Sequence, residues 1–214
     1  MSNILEIHNL SKSIDNKIIF ENINLTIPYG SICCLIGANG TGKSVLIDCI
    51  LGFQKINQGK IIIKSQNITN RNLLRLNTGI VSPDHQKHLE LLTPKEYFDM
   101  IIDIYNLNNI EKKLDSLIDK LMVRPFLQDL FINLSFGSKK KIQLIGNLLF
   151  EPSLLICDEI FEGLDEESVK RVKEIFQKRA INNQTTFFTT HIKKEAIDIS
   201  NINLLLHEKK ITYI

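Results

Sequence analysis

Apolar residues change their spacing along this chain, and each change marks a different kind of element. In the first third they alternate or cluster in short runs: Ile4 to Asn9, Ile18 to Ile27 and Ile32 to Ile36 read as strands, because β-branched residues at period two suit a pleated surface. Pro28-Tyr29-Gly30 is the turn before the third run, and Val45 to Leu51 has the density of a buried helix. Gly59 to Ile63 is a further strand. From Pro94 the period becomes helical, with Tyr97, Phe98, Ile101, Ile102 and Tyr105 on one stripe and Leu114, Leu117, Ile118 and Leu121 on another. Arg124-Pro125 is expected to end that stretch, since the residue before proline disfavours the helical region. A helix is predicted from Gly137 to Phe150, then a buried parallel strand from Pro152 that ends in Asp158-Glu159. Glu166 to Arg179 predicts an amphipathic helix with acids first and bases last, as the helix dipole favours. Strands at Gln184 to Thr190, Ile202 to Leu206 and Lys210 to Ile214 complete the pattern.

Composition narrows the class without changing this picture. The 214 residues, 43% hydrophobic and 23% charged, suit one soluble globular domain with a sizeable core. A net charge of +2 gives no reason to expect nucleic acid as a partner. The basic run Lys139-Lys140-Lys141 sits in a helical pattern and is expected to form a solvated face. Cys33, Cys34, Cys49 and Cys157 show no metal-ligand spacing and read as small core residues in a reducing compartment. No signal peptide is read at the N-terminus, and no apolar run approaches the ~20 residues that cross a bilayer.

The chemistry begins between the third strand and the helix after it. Gly37-Ala38-Asn39-Gly40-Thr41-Gly42-Lys43-Ser44 fits G-x-x-x-x-G-K-[ST] in its required strand–turn–helix context. Glycines let the backbone wrap a phosphate, and the helix start adds its unpaired N–H groups. Lys43 would reach the β- and γ-phosphates, and Ser44 would hold Mg²⁺ through its hydroxyl. In open α/β sheets ligands bind beyond the carboxyl ends of strands, where Asp158, Glu159 and His191 also fall. Asp158 suits a second Mg²⁺ ligand, and Glu159 suits a group that orients or deprotonates an attacking water. Ser44 and Asp158 are much further apart than one βα unit requires, so a helical insert is expected between them.

The P-loop is followed by Leu134-Ser135-Phe136-Gly137-Ser138, then Leu154 to Glu159, then Gly163-Leu164-Asp165, then Thr190-His191. With these motifs in this order, the chain resembles the ATP-binding subunit of an ABC transporter over essentially its whole length. The resemblance implies an α/β fold: a P-loop NTPase core with a mixed sheet, an antiparallel β subdomain and an inserted helical subdomain. Residues 1–214 would form a single ABC-type ATPase domain, with the nucleotide core at 1–84 and 151–214 and the helical subdomain at 85–150. It further implies ATP and Mg²⁺ as ligands, and two such subunits, identical or related, closing head to tail on two ATP molecules. Ser135 and Gly137 would then bind the γ-phosphate held by the other subunit, Asp165 would communicate between sites, and His191 would contact the γ-phosphate. Separate transmembrane permease subunits would be the partners, with this chain on the cytoplasmic face of the membrane.

The chain departs from the family pattern at several positions. Ile14 stands where an aromatic residue would stack on adenine, which implies weak selectivity for ATP over GTP. Pro83 and Asp84 stand where the Q-loop glutamine is expected; Gln86 is out of register, and Asp84 is a further candidate Mg²⁺ ligand. Phe136 replaces a signature glycine, Ser138 a glutamine, and Ile160 the proline after the catalytic acid. These changes leave slow turnover as the expectation. Three rivals stay open: an ATP-binding regulatory or interaction protein with little or no turnover, a soluble ABC-type ATPase acting on nucleic acid or ribosomes, and a small-molecule kinase.

Overall fold

A computed structural model describes residues 2–67, 71–83, 88–192 and 198–214. Asp84 and Gln86 lie outside the described residues. Ten strands and six helices are present among them. Strands β1 (Asn3–Ile14), β2 (Lys17–Pro28), β4 (Gln58–Ile63) and β5 (Gln66–Asn67) make an antiparallel sheet in the order β2-β1-β4-β5. The second sheet runs β10-β9-β3-β8-β7-β6, from β3 (Ile32–Ile36), β6 (Thr78–Val81), β7 (Leu154–Cys157), β8 (Thr185–Thr190), β9 (Ile202–His207) and β10 (Lys210–Tyr213). It is parallel except where β9 and β10 form a hairpin.

Burial on both faces explains why β3, β7 and β8 read as unbroken apolar or small-residue runs. One face of this sheet carries Cys33, Leu35, Ile156 and Phe187, which pack with helix α1 (Lys43–Ile50) and the antiparallel sheet. The other carries Cys34, Ile36, Leu155 and Phe188, and packs with α3 (Pro94–Tyr105), α5 (Phe136–Leu149) and α6 (Glu166–Ile181). All four cysteines are buried and none forms a disulfide, and burial pushes their thiols up where a shift is resolved, that of Cys49 to about 11. They serve as core residues.

Local chemistry sets the helix ends. Thr93 accepts from Glu96 N at 3.2 Å, and Glu96 accepts from Thr93 N at 2.7 Å, a capping box with Pro94 in the first turn. These bonds hold the Glu96 carboxyl below the usual range. Asn106 closes α3 at φ 50°, so the stretch from Pro94 divides into α3 and α4 (Glu111–Lys120). Arg124 does not end the helical stretch: α4 stops at Lys120, and Arg124–Phe126 forms a separate 3₁₀ turn. Proline in that first turn lacks only a donor that would be unpaired anyway.

Three elements had no clear sequence signal, the two-residue β5, α2 (Arg71–Asn77) and the edge strand β6. Gly79 weakens β6, which is only four residues long, as a strand on its own. It is held from the side instead, because buried Asn147 of α5 accepts from Ile80 N at 2.9 Å and donates to Ile80 O at 2.8 Å. One amide thereby stands in for a neighbouring strand and covers the edge.

The lysine run also differs from expectation. Lys140 has no exposed surface and Lys141 keeps 8%. Helix α5 packs against β6, α3 and α4, and nearly every residue along it is buried, so of the run only Lys139 keeps a partly exposed position.

Candidate functional site

At the carboxyl ends of β3, β7 and β8 five side chains meet. The loop 37–42 leaves β3 and enters α1 through Gly42, whose φ of 104° an L-residue rarely adopts. A Cβ at Gly42 would lie 2.6 Å from the Ile19 side chain. No side chain caps α1, so the N–H groups of its first turn are left for an anion. Lys43 is buried, and its ammonium arches back to donate to Gly37 O at 2.8 Å and Ala38 O at 3.3 Å. Gly37 N donates to Thr190 O at 3.4 Å, which ties the loop to the end of β8.

Asp158 follows directly on β7 and is 4% exposed. It accepts from Ser44 Oγ at 2.6 Å and from Thr189 Oγ1 at 2.5 Å. Thr189 does double duty, since the same hydroxyl accepts from Glu159 N at 2.9 Å. Glu159 itself is in the left-handed region, at φ 48°. That turn sends its carboxylate toward Lys43, at 3.0 Å from Nζ, and toward His191, at 3.0 Å from Nδ1. Lys43, Ser44, Asp158, Glu159 and His191 are therefore one connected group.

The donor set suits magnesium and a polyphosphate. Ser44 and Asp158 present a hydroxyl and a carboxylate 2.6 Å apart, and no cluster of three or more histidine, cysteine, aspartate or glutamate side chains able to hold a metal occurs among the described residues. Magnesium takes one or two oxygen ligands from protein and the rest from phosphate and water. Glycine backbone, uncapped helix start and buried lysine supply the phosphate side.

A family model described as ABC transporter matches residues 20–162. The chain belongs to the ABC transporter family. Among its relatives, the ergothioneine transport ATP-binding protein EgtV of Helicobacter pylori is 30% identical over 200 residues, covering 92% of this chain and 93% of that protein. The lantibiotic transport ATP-binding protein SrtF of Streptococcus pyogenes is 28% identical over 208 residues, covering 97% of this chain and 89% of its own length. A putative ABC transporter ATP-binding protein of Bacillus cereus is 30% identical over 214 residues, but this chain spans only 38% of its length. A solved ATP-binding subunit of an ABC transporter superposes with a TM-score of 0.89 at 24% identity, over 99% of this chain and 90% of that one. A nucleotide-free ATP-binding cassette gives 0.81 at 18% identity, over 98% and 90%. The chain is thus an ATP-binding subunit of the ABC type, with the P-loop core, mixed sheet and antiparallel sheet of that fold.

In this ABC subunit the residues that the sequence suggests as signature and D-loop, Ser135, Gly137 and Asp165, lie at helix starts. Ser135 is the N-cap of α5, accepting from Ser138 N at 3.1 Å and donating to Ser138 Oγ at 2.9 Å. A Cβ on Gly137 would lie 2.2 Å from Gly163 O, so the segment after Glu159 crosses α5 where only glycine leaves room. Asp165 caps α6, accepting from Ser168 N at 2.8 Å and Ser168 Oγ at 2.9 Å. Those bonds hold its carboxyl below the usual range. Sequence reasoning missed Thr189, which lies in the Thr-Thr-Phe-Phe-Thr-Thr run before His191. A hydroxyl one strand away from two adjacent carboxylates was the available signal.

Proposed function

We propose that this ABC subunit hydrolyses ATP, and that two such subunits, identical or related, close on two Mg-ATP to drive separate transmembrane permease subunits. The observation that carries the reading is the position of Glu159, whose carboxylate lies between the P-loop lysine and His191 at 3.0 Å from each. A carboxylate there can take the proton of a water that attacks the γ-phosphate. Lys43 would neutralise charge on the phosphate oxygens, and His191 would orient Glu159 and contact the same phosphate. Ser44 and Asp158 would hold Mg²⁺, which when bound neutralises charge between the β- and γ-phosphates. Asp84 is a further candidate for that ion.

Across the dimer, the exposed Ser135 hydroxyl and the α5 N-terminus would meet the ATP held by the other subunit, with Gly137 in that contact. Asp165 would link the two sites. The helical segment, 85–150, would receive the permease; a cavity of about 590 Å³ lined by Phe53, Leu74, Tyr97, Ile101 and Tyr105 suits an apolar projection from it. No described helix is long and apolar enough to cross a membrane; attachment through the permease would place the subunit at the cytoplasmic face.

The test is phosphate release from Mg-ATP by the purified chain, alone and with its permease, against Glu159→Gln. Turnover in the wild type, reduced on the order of a hundredfold in Glu159→Gln with ATP binding and dimerisation retained, supports the reading. ATP-dependent dimerisation with no phosphate release from the wild type selects the regulatory alternative, which the altered signature at Phe136 and Ser138 favours. A γ-phosphate found on a metabolite would select a kinase.

A further inference from the structure

Lys140 has no exposed surface, and no role described so far uses it. Its ammonium donates to the backbone carbonyl of Glu159 and, at 2.9 Å, to that of Glu162. The Glu162 carboxylate lies 3.8 Å away. The ring of Phe136, one turn earlier on α5, has its centroid 4.0 Å from Nζ. A tetrahedral ammonium offers three donors from a point charge, which suits two carbonyls and an aromatic face converging from different directions.

Glu159 is the residue for which this matters. A non-glycine residue with left-handed φ persists only where its surroundings over-determine it. Here the N–H of Glu159 donates to Thr189 of β8, and its carbonyl accepts from Lys140 of α5 as well as from Glu162 N, at 3.1 Å, across the turn itself. Both backbone groups of the turn are thus held by side chains from other elements, and the turn aims the carboxylate at Lys43 and His191.

We propose that Lys140 is a positioning residue, which holds Glu159 in its left-handed turn and couples the start of α5, where Ser135 and Gly137 sit, to the carboxylate of the same chain. Phe136 belongs to the same device, covering the cation with a ring where the family pattern has glycine. The catalytic consequence rests on the hydrolytic reading above; the structural clamp does not. Burial lowers the ammonium to about 8, opposed by Glu162 and Glu159, which leaves it mainly charged at neutral pH.

The test uses the full chain with Lys140→Met, which removes the charge and keeps most of the length, and Lys140→Gln, which keeps an uncharged N–H donor group. Hydrogen exchange over residues 158–165 is expected to quicken in Lys140→Met, less so in Lys140→Gln, while the P-loop segment is unchanged. Phosphate release is expected to lose about tenfold in kcat, with KM for ATP within about twofold. In a Glu159→Gln background Lys140→Met should have no further effect on turnover, a non-additivity that general destabilisation does not produce. Unchanged exchange over 158–165 in both variants overturns the clamp, whether or not the protein turns over. Faster exchange with wild-type kcat overturns the positioning role. A wild type that releases no phosphate counts against the hydrolytic reading alone, and the exchange data then decide the clamp.

Discussion

Two helix starts in this molecule look alike in outline and are built differently. Helix α1 begins after Gly42 with no side-chain cap, so its first N–H groups and the buried Lys43 face the same loop. Helix α5 begins after Ser135, whose hydroxyl already satisfies Ser138 N at 3.1 Å. An uncapped start leaves all its first N–H groups for an anion; a start with one side-chain cap has one donor already satisfied within its own chain. Only Ser135's exposure and the dipole of α5 recommend it to a phosphate. The difference teaches that one helix start leaves its donors open, whereas the other spends one on its own fold.

Removing the cation tests the first start most severely. Lys43→Ala deletes the charged donor of the phosphate cradle and is expected to weaken ATP binding by about 3 kcal/mol, on the order of a hundredfold in Kd by calorimetry. Affinity equal to wild type would remove the basis for the cradle. The second start should respond in stability instead. Gly137→Ala places a Cβ 2.2 Å from the Gly163 carbonyl, so backbone must shift, and a loss of about 2 kcal/mol is expected in denaturant unfolding. Ser135→Ala loses the cap, about 1 kcal/mol, and should leave ATP affinity of the isolated subunit unchanged while weakening the ATP-bound dimer. A drop in monomer affinity would mean the two starts are less distinct than their caps suggest.

The smallest effect concerns pH. Lys140 titrates near 8 in the folded chain and near 10.5 when unfolded, so above pH 8 the unfolded chain holds more protons and stability rises with pH. The gain attributable to Lys140 should reach about 1 kcal/mol between pH 8 and 9. It is read as the difference between wild type and Lys140→Met in urea melts, which cancels the cysteine contributions. Parallel curves for the two proteins would show that the folded ammonium keeps its ordinary value.

The lysine run shows most plainly why part of this site was illegible. Three consecutive lysines in a helical pattern imply a solvated face, and nothing local distinguishes Lys140 from Lys139. What distinguishes it is that α5 lies under the 159–163 segment, with two carbonyls placed where a cation can reach them. Strand β6 was illegible for a similar reason, since its edge is satisfied by Asn147 from 67 residues away. Lys43, Ser44, Asp158, Glu159 and His191 were legible because each sits in or directly beside a short contiguous motif at a strand end.

What the sequence determined by itself is the chemistry written in contiguous residues: a phosphate loop between strand and helix, an apolar strand ending in two carboxylates, and a threonine strand ending in histidine. Glycine placement and strand periodicity act over a few residues, so they can be read without knowing what packs against them. Tertiary structure alone decided how those pieces are aimed. The left-handed turn of Glu159 is held by Thr189 on one side and Lys140 on the other. A hydrogen bond between elements depends on where packing brings each backbone group, and that position is a property of the whole fold.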